Sequence, residues 1–293
     1  VKASISATGS ATVQSIGILE GGTSPTYHTI FQGGDQSADI TYTLPTAQGG
    51  ANAVLANDGT GTLSWASQFD IARYTPFYYT DFLGPVGAAT LEPEYPFDLA
   101  LLNSGTQAKI AGIASHPGIL RISSSTTANS GAYITTDATA FLLAGGEVFE
   151  VIFSPQVSSN TNTTLRMGFH DSSTSSAPVD GVYFEMAAGS MNIYGKTASN
   201  STYSTTGTSY TLTVSSWYRA LVVLNSNATQ VNFYLYNESG NQLWTDSLTT
   251  NIPTASGRNT GAGVITTNSG TTATVLTYFD YMAVGIIGRK LTR

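Results

Sequence analysis

Apolar and polar residues alternate in short runs along most of the chain, and Gly, Asn and Ser cut the runs apart. In Val231–Tyr236 the residues Val231, Phe233 and Leu235 share one face, while Tyr234 and Tyr236 share the other. Val182 and Phe184 oppose Tyr183 and Glu185 in the same way, and Met191 and Ile193 oppose Asn192 and Tyr194. A period of two is the geometry of a strand with one buried face. Glu147–Phe153 and Tyr218–Leu224 are apolar on both faces and read as central strands. Ala188-Gly189-Ser190 and Asn237–Asn241 each separate two such runs and predict hairpins. Gly118–Ile122, Arg166–Phe169 and Thr274–Ile287 add further strands. No helical period exceeds about two turns. Many strands with short turn-rich links predict an all-β, two-sheet sandwich over residues 78–293.

The first 66 residues differ. They hold short alternating runs, Thr12–Ile18 and Ile40–Leu44, separated by the pairs Gly21-Gly22, Gly33-Gly34 and Gly49-Gly50. A segment this short buries only about 60% of its surface alone, and this one has few large side chains to bury. It is expected to need a partner, with Ile16, Ile18, Ile40, Tyr42 and Leu44 as candidate attachment residues, and disorder is the alternative reading. Residues 67–77 read as a linker with one short helix near Gln68–Arg73, ended by Pro76.

Composition narrows the function classes. Of 293 residues, 41% are hydrophobic and only 10% charged, with a net charge of −7. An average soluble domain carries about 25% charged residues. The expected surface is therefore hydroxyl-rich rather than ionic. A net negative chain repels phosphate, so nucleic acid is not an expected partner. There is no cysteine, and the three histidines, His28, His116 and His170, are scattered, so no metal site or cofactor is expected. The longest apolar runs, near Phe141–Ala144 and Ala283–Ile287, fall far short of the roughly 20 residues of a membrane helix. No charged-then-apolar segment opens the chain, so neither a leader nor membrane insertion is expected.

No catalytic residue is expected either. Paired carboxylates on one strand face would suit glycoside hydrolysis, but Glu147 and Glu150 face opposite ways, as do Asp180 and Glu185, and Asp280 has no second acid in its strand. Acids meeting from different strands would revive that chemistry. His170-Asp171 read as turn residues, and Gly257–Gly263 as an inter-strand loop without the residues of a phosphate loop. Asp35 with Asp39, and Asp171 with Asp180, lack the spacing of a calcium loop. Trp65, Trp217 and Trp244 are expected to pack, Trp217 plugging one end of the core. The tyrosine-bearing strand faces remain, so Tyr183, Tyr194, Tyr234 and Tyr236 are the candidate glycan or interface face. Arg289, Lys290 and Arg293 form a small basic tail.

Two stretches carry a resemblance. Tyr42–Pro45, Gly49-Gly50, Val54-Leu55 and Asp58–Trp65 resemble the stem segment of tailed-bacteriophage fibre and appendage proteins. His116–Leu120, Arg166–Phe169, Pro178–Glu185, Trp217–Arg219, Asn251–Pro253 and Phe279–Tyr281 are similar to the concanavalin A-like jelly-roll domains of phage virion proteins. The resemblance implies a non-enzymatic homotrimer on a virion surface: an extended or intertwined stem at residues 1–66 attached to capsid, neck or tail, and a lectin-like head at residues 78–293 turned toward cell-surface glycans. The alternatives are a secreted or cell-surface carbohydrate-binding module and a polysaccharide hydrolase.

Overall fold

A computed structural model describes residues 15–19, 26–32, 37, 38, 40–48, 53–57, 60–67, 74–83, 97–156, 162–270 and 276–287. The helix expected at Gln68–Arg73, the residues Asp35 and Asp39, and the basic tail lie outside these residues. The described residues form strands and turns, with no helix among them. The chain divides into two compact units, Val1–Asp70 and Ile71–Arg293.

The first unit contains two antiparallel pairs. β1 (Ser15–Leu19) pairs with β2 (His28–Gln32), and β3 (Ala53–Asn57) with β4 (Leu63–Ser67). Thr43 bridges the start of β4, with Thr43 N–H donating to Gly61 O and Leu63 N–H donating to Thr43 O. Ile40, Tyr42, Leu44 and Trp65 are all exposed. Ile16 and Ile18 lie on β1, but their side chains are outside what the structure describes. No residue of this unit with a described side chain is buried.

In the second unit the strands run β5 (Tyr74–Thr80), β6 (Asp98–Leu102), β7 (Thr106–Ile113), β8 (His116–Ser123), β9 (Ser130–Thr135), β10 (Glu147–Pro155) and β11 (Thr163–His170). They continue with β12 (Gly181–Met186), β13 (Asn192–Ser199), β14 (Thr202–Thr205), β15 (Tyr210–Thr211), β16 (Tyr218–Leu224), β17 (Val231–Asn237), β18 (Gln242–Leu248), β19 (Gly261–Asn268) and β20 (Leu276–Ile287). They make two antiparallel sheets packed as a sandwich. Sheet I has the order β18-β17-β16-β10-β20-β8-β7, with β5 also on β20; sheet II has the order β14-β13-β12-β11-β19-β9-β6, with β15 also on β13.

The expected all-β sandwich is present, with both expected hairpins (β12–β13 and β17–β18) and with β10 and β16 as inner strands of sheet I. Tyr74–Phe77, expected in the linker, are already strand. Pro76 is tolerated there because β5 is paired on one side only and its register shifts beside Gly285. Gly261–Gly263, expected as a loop, open β19 between β11 and β9. A Cβ at Gly263 would sit 2.1 Å from Ile134 O, so the glycine is there for close strand approach.

The core is where the two sheets' alternating apolar faces meet. Phe149, Val151 and Phe153 from β10, Val222 from β16 and Phe233 from β17 face Met167, Phe169 and Phe184 of sheet II. Phe184 and Phe233 meet edge to face across the sandwich at 5.2 Å, a preferred aromatic geometry. Gly195 makes room for this pair: a Cβ there would lie 2.4 Å from the Phe233 ring. Phe233→Ala should therefore destabilise the second unit by about 3–5 kcal/mol, and Gly195→Ala by about 1–3 kcal/mol through overpacking. Urea midpoints of the two variants against wild type check both; a change under about 0.5 kcal/mol for Phe233→Ala contradicts the cross-sheet role.

Candidate functional site

The four candidate tyrosines do not share a surface. Alternation correctly turns each away from the core, but Tyr183 and Tyr194 belong to sheet II and Tyr234 and Tyr236 to sheet I, on opposite outer faces of the sandwich. Tyr183 is moreover only 1% exposed, so it is not a surface group in this fold.

On the outer face of sheet II, Arg166 and Glu185 are cross-strand partners, and Glu185 accepts hydrogen bonds from Arg166 Nε at 2.7 Å and from Lys196 Nζ. Burial alone would raise the Glu185 pKa, but Lys196 and Arg166 outweigh it and hold the carboxyl below its ordinary value. Arg166 Nη1 also donates to Ser175 O and Ser176 O, which draws the loop between β11 and β12 over this face. Asp171 and Asp180 brace that loop. Asp171 accepts from Val179 N–H, and Asp180 accepts from Asn200 N–H and from Arg258. No group of three or more acidic or histidine side chains among the described residues could hold a metal ion. His170, expected in a turn, is instead the last residue of β11 and is buried. Neither ring nitrogen makes a well-formed hydrogen bond. Burial and then the Arg166 charge push its pKa down to about 4, against a weaker upward pull from the Ser172 and Gly263 backbone.

On the outer face of sheet I, Tyr236, Arg219, Ile152 and Tyr281 form one cross-strand row, and Tyr234, Leu221, Glu150 and Ala283 the next. The Arg219 guanidinium lies over the Tyr236 ring at 4.4 Å, and Tyr234 and Tyr236 stack at 6.4 Å. Leu221, Val223, Val148 and Ala283 on this face are buried.

The polar chemistry concentrates at one end of sheet I. β7 and β8 are joined by Ala114-Ser115, with Ser115 at φ 71°, which sets His116 at the start of β8. His116 Nδ1 is 2.9 Å from Asp280 Oδ2. Asp280 is brought there by a β-bulge. Against β10, Tyr281 pairs with Ile152 and Phe279 with Phe153, so Asp280 is the extra residue. Bulges re-aim side chains, and this one turns Asp280 out of the core where its neighbour Phe279 points in. Burial raises the Asp280 pKa, as does nearby Asp81, while the His116 contact and the Gly118 backbone pull it down; the net shift is upward.

Trp217 stacks on the His116 ring at 3.9 Å and 18°. Trp217 is buried, but outside the main core cluster, to which its neighbour Tyr218 belongs. Tyr218 OH accepts from Thr213 N–H and so anchors the segment that carries Trp217. The β17–β18 turn, closed by Asn241 N–H on Asn237 Oδ1, brings Glu238 Oε1 to 3.5 Å from His116 Nε2. These residues line an inner cavity of about 200 Å³ that includes His116, Asp280, Arg219 and Glu238. A more open cleft of about 460 Å³ lies beside it, lined by Tyr210, Ser215, Ser216 and Ser239. The two share Trp217, Tyr218, Asn237 and Glu238.

Residues 115–280, from the Ser115 turn to the bulged Asp280, match the family model described as SO2946-like, C-terminal domain. The chain belongs to this SO2946-like family. A similar solved structure is the protein SO2946 of Shewanella oneidensis MR-1, with a TM-score of 0.58 and 20% identity over 73% of this chain and 88% of that one. Similarity also extends to the CBM2 module of the Lactobacillus casei BL23 phage J-1 evolved Dit (TM-score 0.45, 12% identity, 74% and 98% covered). A Lotus tetragonolobus seed lectin gives a TM-score of 0.46 at 8% identity, with 67% and 95% covered. No curated protein matches in sequence.

In the SO2946-like domain the cleft residues come from β8, β16, β20 and the β17–β18 turn, 164 positions apart at the extreme. Sequence spacing hides such a group, and only an acid at a strand position flanked by aromatics, Phe279-Asp280-Tyr281, hinted at it. The buried His170 gives a direct pH test. Its folded pKa of about 4 is below the ordinary 6.5, so the unfolded chain takes up a proton that the folded chain refuses. Stability from this residue is complete above pH 6.5 and falls by about 3 kcal/mol as pH drops toward 4. In His170→Gln that portion of the loss should vanish, which urea midpoints at pH 7, 5.5 and 4 will show; parallel losses in both proteins would contradict it.

Proposed function

We propose that the chain is a non-enzymatic structural and recognition protein of a phage particle surface. The first unit assembles with copies of itself and with the particle, and the SO2946-like sandwich is held outward to bind carbohydrate. The observation that carries this reading is the contrast between the units. The second has a closed core of two sheets, while the first leaves Ile40, Tyr42 and Leu44 exposed and has no buried residue among those with described side chains. Exposed apolar residues of this kind mark contact surfaces, and symmetric self-association is the common way to cover them. The stem resemblance of Tyr42–Pro45 and Asp58–Trp65 supports a virion setting and a trimer. The hydroxyl-lined cleft at the end of sheet I supports sugar as the ligand, and trimeric display would add avidity.

Sedimentation velocity of the full 30.6 kDa chain tests the assembly. The expected species is a trimer. Ile40→Asp with Leu44→Asp should weaken association by at least about tenfold, since each removes on the order of 1.5–3 kcal/mol of apolar burial. A wild-type monomer at micromolar concentration contradicts the reading.

A further inference from the structure

We propose that the inner cavity at the His116–Asp280 pair is a binding site for the vicinal hydroxyls of a neutral pyranose ring. The proposal rests on the carbohydrate half of the function given above and names its site and ligand chemistry. Three polar atoms of cavity-lining residues are buried and make no hydrogen bond, two of them beside carboxylates: His116 Nε2 (3.5 Å from Glu238 Oε1), Arg219 Nε (4.0 Å from Glu150 Oε1) and Asp280 Oδ1. His116 and Asp280 are each only 5% exposed. Unpaired buried polar atoms are costly and native proteins rarely keep them without use.

Their chemistry specifies the partner. The His116 ring stands between two carboxylates, with Nδ1 2.9 Å from Asp280 Oδ2 and Nε2 3.5 Å from Glu238 Oε1, and each ring nitrogen can donate or accept according to its tautomer. Asp280 Oδ1 and the Glu238 carboxylate are acceptors. Arg219 Nε is a donor, and the Asn237 amide supplies both kinds. Only a group that donates and accepts satisfies such a wall, and a hydroxyl does both. Two adjacent hydroxyls span it as a unit. The two carboxylates disfavour an anionic sugar, and the Arg219 guanidinium disfavours a cationic amine. Trp217, stacked on His116, lines both this cavity of about 200 Å³ and the 460 Å³ cleft alongside, and the two together fall within the range of about 300–1,000 Å³ usual for ligand sites.

Titration calorimetry of the full chain with the methyl glycosides of mannose, galactose and glucose tests this, with glucosamine and glucuronate as charged competitors. At least one neutral glycoside should bind saturably and be recovered uncleaved. Glu238→Gln, at a side chain 58% exposed and so safe for folding, should weaken binding at least about tenfold. Asp280→Asn should weaken it further, while Tyr203→Ser on the opposite sheet should leave it unchanged. Four results overturn the site: no binding of any of the three glycosides, undiminished binding by Glu238→Gln, preference for either charged sugar, or hydrolysis of the glycoside. Sedimentation separates the two readings. A trimer that binds none of them keeps the assembly and removes the site; a monomer that binds them does the reverse.

Discussion

The pairing of β20 with three neighbours is the constraint on which the rest of the sandwich depends. β10 runs along one edge of it, while β8 and β5 divide the other edge between them. Asp280 falls in the interval, after Phe279 has paired with Leu120 of β8 and before Met282 pairs with Thr80 of β5. The same interval holds the bulge against β10. A regular strand would have carried strict alternation through this point and cost either Phe279 its place in the core or Tyr281 its place outside. The extra residue lets both stand and leaves a carboxylate facing outward between them.

Local alternation made the strands, the hairpins and the sandwich legible, because a period of two reports directly which residues of one strand share a face. It says nothing about which sheet a strand joins. Tyr183 and Tyr234 have the same pattern around them and end on opposite sides of the molecule. The cleft was illegible for a related reason. His116, Trp217, Glu238 and Asp280 each look ordinary in their own segment and acquire meaning only through sheet order. His170 shows a third limit: it ends β11 and is buried where the following loop is tied back to Arg166, which strand pattern does not encode.

The two outer faces are used differently. On sheet II the charged groups are matched to one another, Arg166 and Lys196 on Glu185 and Arg258 on Asp180, and the covering loop ties them down. His170 on the same sheet keeps both ring nitrogens without a well-formed hydrogen bond. At the end of sheet I the groups pair more loosely, His116 between Asp280 and Glu238 and Arg219 beside Glu150 at 4.0 Å, and one atom each of His116, Asp280 and Arg219 makes no hydrogen bond.

The strand β5 also gives the domain a direction. Its first residue, Tyr74, lies opposite Ile287, and its last, Thr80, lies opposite Met282, two positions from Asp280. The first residue of β5 and the last of β20 therefore lie side by side at one end of sheet I. Seven residues at about 3.3 Å each separate that end from the bulge by about 20 Å. A pull applied to β5 at Tyr74 is therefore taken up by the ladder to β20 before it reaches the bulge that carries Asp280.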